Sequence, residues 1–179
     1  MDQEYCGSYP PRKRVRVNSI SSFGDSVDFL FDSSNFLSTC LMFNLLTSSH
    51  SHPTKIHMEK PERISNIVEK HAGEVEGCEM VEYKEDEFDS EIDEKISKVH
   101  SPSYLTLLSQ LEYKSSSEIE DIGNQWEDVY LTPSSYQVAR FGCDMVWKVC
   151  EGIMKGRWKN GFALVRPPGH HASSHTPGF

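Results

Sequence analysis

No stretch of this chain approaches the roughly 20 consecutive apolar residues that a bilayer-spanning helix needs, so membrane association is not expected. The N-terminus lacks the basic-then-apolar layout of a secretory leader. Cysteine is scarce: five in 179 residues, Cys6, Cys40, Cys78, Cys143 and Cys150, scattered without a CxxC pair. An odd, dispersed set argues against a disulfide frame and a zinc knuckle, and reads as reduced intracellular thiols. Apolar residues make up 37% and charged residues 25%. That is a polar composition, long enough for one domain with its own core and with some disorder expected. No internal repeat is visible.

Positive charge is also in short supply, with a formal net charge of −9. Eleven acids between Glu74 and Glu94, against Lys84 alone, account for the imbalance. Such a run is expected to be a solvated loop; a surface attracting basic tails is the alternative, weakened by screening. The basic residues that stand out are Arg12, Lys13, Arg14 and Arg16, which follow Pro10-Pro11. They sit in a Ser- and Asp-rich segment, residues 1–38, expected to be a disordered tail. The cluster suits a nuclear import signal. Four charges offer too few phosphate contacts for strong binding to DNA, so direct sequence-specific DNA recognition is not expected.

From residue 39 onward the pattern is that of a folded α/β domain. Cys40–Leu46 is an apolar run suited to a buried strand. His50, His52 and His57 follow in a polar stretch broken by Pro53 and are expected in an exposed loop, without partners for a metal. Pro61 opens a helix to about Lys70 with Ile64, Ile67 and Val68 on one face. Ser90 caps a second helix carrying Ile92, Ile96 and Val99. Ser101-Pro102 starts a third with Tyr104, Leu105, Leu108 and Leu111 inward. Residues 114–125 read as a loop. Ser134 or Ser135 then starts the best-defined helix, with Val138, Met145, Val149 and Ile153 on a broad stripe, Trp147 assigned to the core, and Gly156 as its stop. A short strand over 161–165 leads to Arg166-Pro-Pro-Gly-His170-His171.

A strand, a rigid turn and two adjacent imidazoles form the arrangement by which an α/β enzyme presents acid/base groups at the carboxyl end of a sheet. Two neighbouring imidazoles resist being charged together, which lets them take different proton-transfer roles. The stretch Arg166–Ala172, behind Lys159–Val165, resembles the active-site approach of the class II histone deacetylases. Pro61-Glu62-Arg63-Ile64, Val99-His100-Ser101-Pro102-Ser103-Tyr104-Leu105 and Asp128-Val129-Tyr130 are similar to further family segments and fall in the same order. The resemblance runs over roughly residues 40–179, the front portion of that family's catalytic domain.

The resemblance implies an incomplete arginase-like three-layer α/β fold over 39–179, with a partial parallel sheet flanked by helices. It implies zinc-dependent hydrolysis of N-acetyl-lysine, with His170 and His171 as the proton-handling pair. Asp128 would grip the substrate backbone, and Phe179 would wall the acetyl-lysine tunnel. In the family the zinc ligands (an Asp-x-His and a later Asp) and the oxyanion tyrosine follow the His-His turn. The chain is therefore expected to be truncated before them, to bind no zinc alone and to be inactive alone. The alternatives are a non-catalytic nuclear binding or regulatory module that joins deacetylase complexes, and a hydrolase of small acetylated amines. Expected partners are an acetylated histone or other acetyl-lysine protein, and corepressor subunits. The expected location is the nucleus, with the cytoplasm second.

Overall fold

Two crossovers organise the chain around one central strand. The structure is a computed structural model that describes residues 38–53, 57–71 and 77–178. The basic tail over 1–37 and Phe179 lie outside the described residues. Strand β1 (Thr39–Phe43) pairs in parallel with β2 (Cys78–Glu82) on one side and β3 (Asn160–Leu164) on the other, giving the order β2-β1-β3. The register places Leu41 opposite both Met80 and Phe162. Parallel neighbours cannot be joined by a tight hairpin. Helix α1 (Glu62–His71) therefore makes the first crossover. Helices α2 (Ile92–Ser97), α3 (Pro102–Ser109), α4 (Ser116–Gly123) and α5 (Ser135–Met154) make the second.

The two-residue period of β1 builds a core on each face of the sheet. Cys40 and Met42 pack with Tyr83, Phe141, Met145, Val149 and Trp158 beneath α5. Phe43 packs with Ile64 and Leu164 beneath α1, bordered by Leu41, Val68 and Met80. Close approach of α5 depends on two glycines. A Cβ on Gly161 would lie 2.4 Å from the Val149 side chain, and one on Gly152 would lie 2.2 Å from the Trp158 ring. Gly156, at φ +72°, closes the helix as expected. On the outer strand β3, Phe162 remains 63% exposed.

Several expectations need correction. The first apolar run does not stay a strand to Leu46. Asn44 caps a 3-10 turn over Leu45–Ser49, its side chain accepting from the Leu46 N–H at 2.5 Å. The acidic stretch is not one solvated loop: β2 runs through it, held by its ladder to β1, and Tyr83 just beyond is buried. The Tyr83 hydroxyl donates to the buried Asp144 carboxylate at 2.6 Å, tying the end of β2 to α5. Burial and that carboxylate push the Tyr83 phenol up. Glu91, not Ser90, precedes α2, without a side-chain cap, and Val99 is exposed. The polar stretch over 114–125 contains α4, whose Ser115–Glu118 capping box closes both ways. Trp147 is 46% exposed, with the Lys95 ammonium 4.4 Å from its ring centre.

Candidate functional site

The turn that carries the histidine pair leaves β3 with its first side chain buried. Arg166 is 2% exposed and makes a two-pronged ion pair with Glu59, equally buried, at 2.6 Å from Nε and 2.8 Å from Nη2. Its Nη1 donates to the Thr47 carbonyl and its Nη2 to the His50 carbonyl, both at the end of the 3-10 turn after β1. Nη2 also donates to the Tyr130 hydroxyl at 2.9 Å. Tyr130 in turn donates to Glu59 Oε2 at 2.8 Å, and burial beside that carboxylate pushes its phenol up. A planar guanidinium with its donors in a fixed fork suits this role. One side chain thereby ties the exits of β1 and β3, the approach to α1 and the segment after α4.

The three loop histidines correct the expectation of an exposed loop. His50 is buried, its ring stacked 4.6 Å from Tyr130 and its Nδ1 within 3.0 Å of Ser135 Oγ and 3.3 Å of Thr132 Oγ1. Burial, with the neighbouring Arg166 guanidinium, holds its imidazole down at about 3. His52 and His57 are half-buried, and each ring lies within 5.2 Å of Tyr130.

Beyond the histidine pair the turn is held again. His100 Nδ1 lies 3.1 Å from the Ser173 carbonyl, and the Ser101 N–H donates to the Ser174 carbonyl at 2.8 Å. Ser101 also caps α3 by accepting from the Tyr104 N–H. A Cβ on Gly178 would lie 2.4 Å from the His171 carbonyl carbon and oxygen, so the chain doubles back tightly on the turn. His170 and His171 themselves are exposed, with ring centres 4.2 Å apart.

A cavity of about 540 Å³ lies against this frame. Its lining is apolar along α3 and α5, with Leu105, Leu108 and Val146, and includes the polar side chains of His57, Glu59 and Tyr130. Asp128 and Gly178 also line it. Asp128 is exposed and adopts φ +55°, a left-handed conformation uncommon for non-glycine residues but one in which aspartate is enriched. Asp128 therefore borders the cavity, and the turn's Gly169 and Ala172 do too. The two imidazoles are not among its lining residues, and Phe179 lies outside the described residues.

Paired imidazoles on an anchored turn can take up and deliver protons at a group presented nearby. Among the described residues no three His, Cys, Asp or Glu side chains converge as metal ligands. Nor, among the described residues, is any helix long and apolar enough to cross a membrane.

Sequence reasoning missed Arg166, Glu59, Tyr130 and His50 as a unit. Their contacts join residues as far as 116 positions apart, and no local period signals them. The available hint was an arginine directly before the rigid Pro-Pro turn and a glutamate just ahead of Pro61.

The histone deacetylase domain model matches residues 57–179. Histone deacetylase 18 of Arabidopsis thaliana is 32% identical over 138 residues, covering 75% of this chain and 20% of that protein. The human polyamine deacetylase HDAC10 is 28% identical over 116 residues, covering 64% of this chain and 17% of that protein. The chain thus spans about a fifth of the length of these relatives. A crystal structure of the HDA15 HD domain superposes with a TM-score of 0.60 and 26% identity, over 79% of this chain and 39% of that one. With the parallel sheet, the anchored histidine turn and a family match over most of its length, the chain belongs to the histone deacetylase domain family.

Proposed function

We propose that this chain supplies the proton-handling and substrate-contacting front of a lysine deacetylase centre. His170 and His171 exchange protons with the attacking water and the leaving amine, and Asp128 grips the backbone amides of an acetyl-lysine peptide. The zinc typical of the family would polarise the acetyl carbonyl and acidify a water. The observation that carries the reading is convergence. The segments around Pro61, His100, Asp128 and Arg166, far apart in sequence, meet at one cavity and one turn. An acetylated histone or other acetyl-lysine protein is the proposed substrate and the nucleus the proposed location.

The relative named a polyamine deacetylase favours a second reading, in which the ligand is a small acetylated amine. Saturation-transfer NMR on the purified protein separates the two. The first reading expects saturation transfer to an acetyl-lysine peptide, strongest at its acetyl methyl, with none to the protons of the unacetylated peptide and loss in Asp128→Ala. Transfer only to a free acetylated polyamine would support the second. Equal transfer to acetylated and unacetylated peptides would overturn the first, and no transfer to an acetylated polyamine would overturn the second.

A further inference from the structure

We infer that Arg166 and Tyr130 form a positioning clamp that fixes the histidine turn relative to the Asp128 segment. The inference deepens the deacetylase reading and rests on it for its functional meaning. The two imidazoles are exposed, and the backbone that carries them is held on either side. Beyond the pair, His100 and Ser101 hold Ser173 and Ser174. Before it, Arg166 stands four residues ahead of His170 with its side chain buried. Tyr130 stands two residues after Asp128, and its hydroxyl accepts directly from Arg166 Nη2 at 2.9 Å.

The link is directional and uses all three guanidinium nitrogens. Arg166 engages Glu59 through Nε and Nη2, Thr47 through Nη1, and His50 and Tyr130 through Nη2. A guanidinium bound on each of its nitrogens cannot swing without breaking several bonds at once, whereas a lysine ammonium could keep the charge without the fork. On the other side, Tyr130 is also seated against the stacked His50 ring and Glu59. Arg166 and Tyr130 touch no reacting group; they act through the residues they hold.

Tyr130→Phe tests this by removing one hydroxyl and keeping the ring. Two readouts are used on the full chain: amide hydrogen exchange by mass spectrometry, and the ring C–H NMR signals of His170 and His171. The clamp predicts about fivefold faster exchange in both 127–131 and 167–175. It also predicts shifted ring signals for both histidines, with exchange around Met145 in α5 unchanged. Ile119→Val, a core deletion in α4, serves as the control for general destabilisation and should leave both ring signals in place. Arg166→Lys should reproduce the two-loop response more strongly; should it not fold, Tyr130→Phe alone decides. Faster exchange at 127–131 with unmoved histidine signals would overturn the clamp, as would an equal response in the control. Neither readout needs turnover, so failure of the clamp and failure of the deacetylase reading remain distinguishable.

Discussion

Replacing Glu59 by glutamine strips the countercharge from a guanidinium that is itself 2% exposed. The side chain keeps its shape and one amide oxygen, and the Thr47 and His50 carbonyls still accept from Arg166. Breaking a buried ion pair by removing one partner typically costs about 3–5 kcal/mol, because the remaining charge stays desolvated. The surviving acceptors place Glu59→Gln at the lower end, about 3 kcal/mol. For a domain stable by about 5–15 kcal/mol this is a large share. In urea, followed by circular dichroism, a slope of about 2 kcal/mol per molar gives a midpoint lower by about 1.5 M with the slope unchanged. The double variant Glu59→Gln/Arg166→Met removes both charges and should be more stable than Glu59→Gln alone by at least about 1 kcal/mol. A single-variant midpoint within about 0.3 M of the parent, or a double variant no better than the single, would refute the reasoning.

His50 makes stability depend on pH. Its folded-state pKa of about 3 lies below its ordinary 6.5, so the unfolded chain takes up the proton first as pH falls. Stability is complete above pH 6.5 and declines toward pH 3, by up to about 1.36 kcal/mol per pH unit from this residue. Urea midpoints at pH 7 and pH 5 should show this loss in the parent and a smaller one in His50→Gln; an unchanged difference contradicts it. Gly161→Ala and Gly152→Ala each force a methyl into the seam beneath α5, against Val149 and against the Trp158 ring. Each should cost about 1–3 kcal/mol as overpacking, read as a lower thermal midpoint; a midpoint equal to the parent's would show that the seam gives way freely.

How much was legible in the sequence follows how local each signal is. Helices α1, α3 and α5 carry their own stop and start signs in Pro61, Ser101-Pro102 and Gly156, and a helical apolar stripe that any window shows. Strand β3 and the turn after it were legible for the same reason. Strand β2 was hidden because Glu79 and Glu82 lie in it amid further acids, and its extended form comes from pairing with β1 nearly 40 residues earlier in the chain. Helix α4 was hidden by its polarity, although the Ser115–Glu118 box that starts it was present in the sequence. The buried cluster was the least legible. His50 and Glu59 look like loop residues until Arg166, 116 and 107 positions later, reaches them.

The same limit shaped the site. His170, His171 and Asp128 were singled out by motif, and the structure places Asp128 on the cavity wall and the histidines on an anchored, exposed turn. The side chains that anchor that turn needed the fold to be seen. Trp147, assigned to the core by its helical stripe, shows the converse error, since periodicity cannot tell which margin of a stripe meets solvent.

The central proposal is that these residues supply proton handling and substrate contact and do not by themselves hold the metal. It is tested most directly by equilibrating the 179-residue protein with zinc, dialysing, and measuring bound zinc and acetate release from an acetyl-lysine peptide in the same sample. The expected result is well under one zinc per chain and no acetate above the blank. One tightly held zinc per chain, with acetate release that disappears in His171→Ala, would contradict the account.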